Sequence, residues 1–566
     1  MPSLIASILL AASVAAAEPQ VLTDRGTFGP PLQIAHYYYG QMPTGIAVSR
    51  ESRLFSTYPA CLDGNNTNTP QTPSKYQVVE LMPDGSEVPY PSVEMNSPPG
   101  GALNMSTNPP TSANYDNYLI GCQSVIVDSQ NVLYILDSGR AVDPDSGATL
   151  SAVYGGPKVI AVDLSTNKVI RTYRFPQTVV YSDSFLNDIR VDRTPGLSGL
   201  TSNGSEGVAY ITDSSLEGRN GFVILDLTSG ESWRHLDNDP RVRAQQQVVP
   251  WVHGNPVLFA PPGQPYSRAA IGSDGIALGA DGKDLYFSVI SGRELFSAPT
   301  AALRAHDASS ELVLAASITN KGEKGISDGL ETDSKGVIYA GNVEQEAVVS
   351  YFPGNSSVQT FVRDPRINWV DTLSIGWDGF LYFTVNQVHL MPNFYPGTER
   401  RQHPYVLFKV QLPDGGTYAE QSPCLTPETS CRGVLGGGGT RRPCLVGPRM
   451  LPDSLIVLKV GVQPQDSLQQ RLSSLDSGQR PRESVWALLV TAAPADEVLR
   501  KGGATSECDI WQEPSEKTGL LASAVGNDDA DRVGAPSHSD VADPSFDDET
   551  VHLQEAGLGY SLSATK

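Results

Sequence analysis

The sequence predicts an all-β fold, a six-bladed β-propeller built from four-stranded antiparallel blades. Three observations predict it. A strand–turn–strand pattern recurs six times, a second hairpin-like stretch follows each copy, and the set fills roughly 400 residues, which suits one radial domain. Two hairpins are too small to bury a core alone, so neighbouring units must pack around a shared axis.

The copies open at Gly45 (GIAVSRESRLFST), Ser124 (SVIVDSQNVLYIL), Asp188 (DIRVD, a loop, then GVAYIT), Gly275 (GIALGADGKDLYFS), Gly329 (GLETDSKGVIYAG) and Thr372 (TLSIGWDGFLYFT). Their Val, Ile, Tyr and Phe content suits strands buried between sheets. Asp281-Gly282, Ser334-Lys335-Gly336 and Asp378-Gly379 supply hairpin turns. The second hairpins start at Tyr76, Lys158, Gly221, Arg293, Ala347 and Tyr405. Inserts after Cys61, after Asp192 and between Asn386 and His403 interrupt the period and are expected as surface loops at blade ends.

The flanks read differently. Residues 1–17 are expected to be a secretory signal peptide: an apolar run over residues 4–17, too short to span a bilayer, ends in Ala15-Ala16-Ala17 before Glu18. The propeller is assigned to residues 18–420. Residues 421–566 lose the pattern and carry a glycine run at 436–439 and an acidic stretch over 527–549. They read as a tail that is linker, disordered chain or translated non-coding sequence, with a short helix expected around 484–499.

The chain of 566 residues carries a formal charge of −22, which argues against nucleic acid and anionic membrane surfaces as partners. Hydrophobic residues at 39% exclude disorder of the whole chain. Gly 53 and Pro 43 make up about one residue in six, above the usual ~12%, as many tight turns require. No later apolar run is long enough to span a membrane. A secreted, extracellular protein is therefore expected, with Asn65, Asn104, Asn203 and Asn355 opening glycosylation sequons. Cys61 and Cys122 are the two cysteines of the regular part, and one disulfide between them is an expectation of the oxidising compartment.

In a propeller the innermost strand of each blade starts beside the channel, so the residue before each first strand can be compared across blades. The series is Thr44, Gln123, Asn187, Asp274, Asp328 and Asp371, with Asp188 beside Asn187. All are polar, and three consecutive blades supply Asp. Carboxylates converging on one mouth oppose joint ionisation, and a cation, a protonated amine or a raised pKa relieves them. Asp and Asn oxygens suit Ca²⁺, and the same oxygens accept charge-assisted hydrogen bonds from an amine. The competing explanation is that Asp caps loop backbone, which fits Asp84-Gly85, Asp281-Gly282 and Asp378-Gly379 better than the pre-strand set.

Asp188 and Asp274 are thus candidate general bases, and Gln123, Asn187, Asp328, Asp371 and Thr44 candidate ligand-binding residues. Under a metal-dependent alternative, Asn187, Asp274 and Asp328 would be the ligands. Asp137 and Asp213-Ser214 read more as turn residues. His36, His389 and His403 are weaker candidate bases in loops, and Tyr37-Tyr38-Tyr39 would rim a pocket or pack the edge of the first blade. No nucleophile elbow, P-loop or zinc-protease motif occurs.

Several strings resemble the yellow / major royal jelly protein family. They are Cys122-Gln123-Ser124-Val125 with LYILDSGR ending at Arg140, VIRTYRFP ending at Pro176, the segment from Asp183 to Asp188, and AYITDSS from Ala209. SDGIAL from Ser273, LYFSVISGRELFSAPTAALR from Leu285, KGISDGL from Lys324 and RINWVDTLSIGWDGFLYFTVNQ ending at Gln387 continue the series. The resemblance runs in order over roughly residues 30–415 and leaves out the tail. It implies a secreted six-bladed propeller that binds small ligands at one channel mouth. Some relatives are associated with dopachrome conversion, some bind biogenic amines, and others have nutritive or signalling roles, so the family shares a fold more than a function.

A more distant resemblance is to gluconolactonase and regucalcin propellers. These hold a divalent metal through a first-blade Glu and Asn or Asp of later blades, which here look like Asn187-Asp188, Asp274 and Asp328. Thr44 stands where the Glu would be. The readings left open are a propeller that binds an amine or aromatic ligand and acts as a dopachrome-type tautomerase, a metal-dependent lactonase or esterase using a cation such as Ca²⁺, and a non-catalytic secreted binding protein.

Overall fold

Strands pressed between two neighbouring sheets have no solvent face, so they read as near-continuous apolar runs and lose the period-two alternation of half-exposed strands. The second strands of blades 2 and 3, Val132–Asp137 and Val208–Asp213, are buried at every position. Outer strands recover polar character: Lys168–Arg174 is mostly exposed or half-buried. This inside-to-outside gradient builds the fold in the computed structural model, which describes residues 23–420 apart from 114–116, 195, 201, 203 and 262. The expected signal peptide, the sequon at Asn203 and the whole tail with its helix lie outside the described residues.

Six four-stranded antiparallel sheets are arranged in order around an axis. Blade 1 starts with Ile46–Val48, blade 2 with Cys122–Val127, blade 3 with Leu186–Asp192, blade 4 with Ser273–Leu278, blade 5 with Leu330–Thr332 and blade 6 with Val370–Ile375. Each of these inner strands packs against the next, and the sixth returns to the first. The hairpin turns use Asp as anticipated. Asp333 Oδ1, for example, accepts the backbone N–H groups of Lys335 and Val337 at 2.9 Å each, and Gly336 takes φ 80°.

Two blades depart from the anticipated pattern. In blade 4 the stretch after Glu294–Pro299 does not turn back as a hairpin: it forms the helices α1 (Thr300–Arg304) and α2 (Ser310–Ser317) before Thr319–Glu323 completes the sheet. Blade 6 takes its outer strand from the other end of the sequence. Gln33–Tyr38 pairs antiparallel with Tyr405–Gln411, with Tyr38 opposite Tyr405. This closes the ring, and it places Tyr37 and Tyr39 as exposed residues at the edge of blade 6, not blade 1, with Tyr38 in the core.

After Gln411 the chain crosses one end of the channel as a strap. Tyr418 stacks on Trp377 of blade 6 (centroids 4.0 Å apart) and donates its hydroxyl to Val127 O of blade 2 at 3.1 Å. Thr417 bonds Ser334 between the first strands of blade 5, and Glu420 pairs with Arg50 of blade 1 at 2.8 Å. No helix among the described residues is long and apolar enough to cross a membrane.

Candidate functional site

The inner strands are not regular where they meet the channel. The register with the second strand shifts between Cys122 and Ser124, between Leu186 and Ile189, between Ser273 and Ile276, and between Val370 and Leu373. The residues skipped are Gln123, Asn187-Asp188, Asp274-Gly275 and Asp371-Thr372. A bulge re-aims a side chain that the pleat would otherwise direct between sheets. The glycines serve closeness and not turning. A Cβ on Gly275 would lie 2.1 Å from Asp328 O, and one on Gly329 would lie 2.5 Å from Asp371 O. Each Asp-Gly pair thus lets the next blade's backbone press against the ring, which the hairpin-turn explanation of Asp-Gly does not cover.

The result is a buried acidic floor. Asp274, from blade 4, shares a hydrogen bond with Asp328, from blade 5. Asn187 Nδ2 donates to Asp274 Oδ2 and also to Ser214 Oγ at 3.0 Å. Trp369 Nε1 donates to Asp328 Oδ2 at 2.8 Å, and Asn386 Nδ2 donates to Asp371 Oδ2 at 2.7 Å. Burial raises all three carboxyls well above the usual range, and the charge of neighbouring acids adds to it. Behind them Lys324 is itself buried, its ammonium donating to Ser327 Oγ and Gly325 O. Burial pushes its pKa down to about 7 against the pull of Asp328.

A cavity of about 150 Å³ opens over this floor. Its walls are apolar: Phe185, Val257, Phe259, Ile271, Ile290 and Phe394 among them. The two inserts that build the roof meet each other. Short ribbons in residues 251–268 pack against the 386–403 loop, where Phe259 stacks on Phe394 (5.1 Å, 12°) and Ala260 N donates to Asn393 O at 2.7 Å. The 386–403 insert is therefore a wall of the cavity as well as a blade-end loop.

The structure brings Gln123, Asn187, Asp274, Asp328 and Asp371 to the cavity. Thr44 is elsewhere. Its hydroxyl donates to Gln123 O at 2.9 Å, so it clamps the backbone of blade 2 and presents nothing to a ligand. Asp188 is near the axis but already engaged. Arg190 Nη1 donates to its Oδ1 at 2.7 Å, and Ile189 N and Ile276 N also bond the carboxylate, at 2.8 and 3.1 Å. Asp188 is thus tied to Arg190 and to the backbones of blades 3 and 4, and it does not line the cavity over the floor.

Asp137 and Asp213 order the approach loops. Asp137 accepts Ile120 N and Gly121 N and pairs with the fully buried Lys158 at 3.0 Å, and Asp213 accepts Phe185 N and pairs with Arg234 at 2.9 Å.

Other candidates also resolve. His36 lies on the closing strand and bonds Glu87 at 3.1 Å, His389 is buried against Trp369, and His403 bonds Gly40 O at 2.9 Å. None of the three lines the cavity. Cys61 and Cys122 form no disulfide; both are buried thiols, and burial pushes Cys61 up to about 12. Cys61 instead donates to Gln123 Oε1. Asn65 and Asn355 are exposed and Asn104 half-buried.

Among the described residues no group of three or more His, Cys, Asp or Glu side chains is placed to hold a metal ion. Asn187 turns its amide N–H on Asp274, and Asp274 bonds Asp328, so these donors face each other and not a common cation. Ser214, which reads as a turn residue in the sequence, joins the floor, as do Trp369 and Asn386, which no sequence motif marks. Ser214 and Asn386 each follow the end of a second strand, the position next to the ring, so comparing second-strand ends across blades would have found them. Trp369 sits at φ 71°, a left-handed conformation that no sequence pattern announces.

The model of the major royal jelly protein family matches residues 120–412, more than half the chain, and the chain belongs to that family. Among curated proteins no significant match is found. Similar solved structures include a luciferin-regenerating enzyme (12% identity, TM-score 0.37, 69% of this chain and 97% of that one). A gluconolactonase from Xanthomonas campestris (11%, 0.36, 68% and 97%) and a regucalcin from Agrobacterium tumefaciens (11%, 0.34, 68% and 95%) are also similar.

Proposed function

We propose that this chain is a secreted ligand-binding propeller that takes a small aromatic molecule bearing a protonated amine. Secretion rests on the apolar leader of residues 4–17 and on the family. One observation carries the ligand reading: three buried carboxyl groups, each raised well above its usual range by burial and by neighbouring acids, form the floor of a cavity with aromatic and aliphatic walls. A cationic amine entering this floor gains charge-assisted hydrogen bonds and allows a carboxyl to ionise, while the walls take the ring.

The same floor supports a dopachrome-type tautomerase. Asp274 and Asp328 share a hydrogen bond and titrate as a pair, so one is acid when the other is base. In a tautomerisation the ionised Asp274 takes a proton from ring carbon, the electron pair moves through the conjugated ring, and a proton is returned to the quinone oxygen. Nothing is oxidised or reduced overall.

The deciding experiment is calorimetric titration of the protein with tyramine, with a dopachrome decay assay beside it. Micromolar binding that weakens at least tenfold in Asp274→Asn is expected, a loss of about 1.4 kcal/mol. If neither a phenolic nor an indolic amine binds, the reading fails. Binding without dopachrome conversion leaves a binding protein. A stoichiometric divalent ion that is lost in Asp274→Asn/Asp328→Asn would favour the hydrolase.

A further inference from the structure

The acidic floor does not use the cavity's opposite charge. Arg140 is the one cation among the cavity-lining residues, and it faces Glu217, which lines the same mouth. Its five donors are all engaged, and in two groups. Nε donates to Leu150 O at 3.0 Å, Nη1 to Asp183 O at 3.1 Å and Nη2 to Thr149 O at 3.2 Å. These three backbone carbonyls fix the guanidinium in place. The remaining two donors form a fork on the carboxylate of Glu217, Nη2 at 2.8 Å to Oε1 and Nη1 at 3.4 Å to Oε2.

The two partners are held unequally. The Arg140 side chain is 3% exposed, and that of Glu217 is 42% exposed. Glu217 sits in the loop between Val208–Asp213 and Gly221–Asp226, beside Gly218 at φ 90° and the exposed Leu216. Apart from Arg140, the one partner of its carboxylate among the described contacts is Ser215 Oγ, from the same loop. Burial opposes the charge on Glu217, but the Arg140 hydrogen bond outweighs it and holds the carboxyl below the usual range. Only the Glu217 side of the pair is solvated, and an incoming carboxylate keeps the buried guanidinium paired, so exchanging one carboxylate for another on Arg140 is close to neutral. What remains when Glu217 leaves is a planar fork already oriented for a carboxylate.

We propose that Glu217 is a displaceable stand-in for a ligand carboxylate, and that the cavity selects amphoteric aromatic molecules with an amine at one end and a carboxylate at the other. The amine goes to the Asp274–Asp328 floor, and the carboxylate takes the place of Glu217 on Arg140 at the mouth. This rests on the amine reading of the floor. It adds a specificity-determining pair that the floor does not require, because an amine without a carboxylate leaves Arg140–Glu217 intact.

The test is calorimetric titration of the full chain with tyramine and with 4-(2-aminoethyl)benzoate, in the wild type and in Glu217→Gln. Glutamine keeps the size of the side chain and removes its charge. The carboxylate-bearing probe is expected to gain roughly tenfold in affinity in Glu217→Gln, with tyramine changing less than about twofold. Arg140→Lys, which keeps the charge but not the fork, should lose that gain when combined with Glu217→Gln. Equal changes for both probes, or tyramine binding with no binding of the benzoate by either protein, overturns the inference while the amine reading stands. If neither probe binds the wild type, the amine reading falls and the inference with it.

Discussion

Trp369 donates its indole N–H to Asp328 Oδ2 across 2.8 Å, and it does so from a left-handed backbone at φ 71°. A bulky residue in that region costs about 1–3 kcal/mol, which persists only where the surroundings enforce it. Here His389 stacks on the indole at 5.6 Å and 19°, and Asn386 N bonds Trp369 O at 3.3 Å.

The first prediction concerns that indole. Trp369→Phe keeps an aromatic ring and removes the donor. Asp328 then loses a hydrogen bond that favours its ionised form, so its carboxyl rises further. A protonated amine binds the ionised floor, so the pH of half-maximal tyramine binding should move up by roughly one unit, as expected for the loss of a charged hydrogen bond. Calorimetry between pH 5 and 8 checks it, and an unchanged profile would show that the indole does not tune Asp328.

A second prediction is the pH dependence of stability. Asp274, Asp328 and Asp371 all have folded-state values raised by burial, so the folded protein binds more protons than the unfolded chain once the pH exceeds the ordinary value of 3.8. Their stabilisation is full below that pH and is lost as pH rises through the folded values. Lys324, lowered to about 7, acts oppositely, but its contribution changes only from about pH 7 upward towards 10.5. Between pH 5 and 7 the carboxyls therefore dominate this pair of effects. Asp274→Asn should flatten the fall in stability over that interval, by about 1.4 kcal/mol for each unit of raised pKa removed. Denaturant melts at pH 5 and 7 measure it, and equal slopes for both proteins would count against a protonated floor.

Much of this site was legible in the sequence because propeller blades repeat locally. The inner strands and their Asp residues follow from turn chemistry and apolar runs a few residues long, and Asn187, Asp274, Asp328 and Asp371 could be aligned by blade position alone. Arg190 was also within reach, since it lies two residues beyond Asp188 on one strand. What the sequence hid is what depends on distant partners. Gln33–Tyr38 has no local hairpin partner, because its pairing is with Tyr405–Gln411. The roof needed Phe259 and Phe394 to meet across two inserts, and neither insert carries a pattern of its own. Blade 4 looked like a hairpin because nothing in RELFSAPTAAL announces a short helix ahead of its last strand.

The third prediction tests how the ring is assembled. A methyl group on Gly275 would meet Asp328 O at 2.1 Å, a backbone atom of the neighbouring blade that cannot rotate away. Gly275→Ala should destabilise the domain by about 1–3 kcal/mol or more and weaken amine binding at the same time, because the Asp274–Asp328 hydrogen bond crosses that same junction. Gly85→Ala makes a useful comparison. Its added methyl meets nothing within 4 Å, yet its φ of 86° strains any side chain, so it should lose stability without losing affinity. If both variants leave tyramine affinity intact, the close approach of blades 4 and 5 is not what sets the floor.

The strap across the other end of the channel gives the fourth prediction. Arg190 bonds Leu330 O and lies within 3.8 Å of Glu331, so it links blade 3 to blade 5 directly below the acidic floor. Tyr418 and Ala419 line the small cavity on the far side of that guanidinium. The strap therefore covers Arg190 at this end of the channel. Tyr418→Ala removes the ring stacked on Trp377 and the hydrogen bond to Val127 O, and should cost about 2–4 kcal/mol of stability. It should also speed amide hydrogen exchange at Arg190 and Val127 while leaving Asn386, at the cavity end, unchanged. Exchange that accelerates equally at both ends would mean that the strap holds the whole ring together and does not seal one end of it.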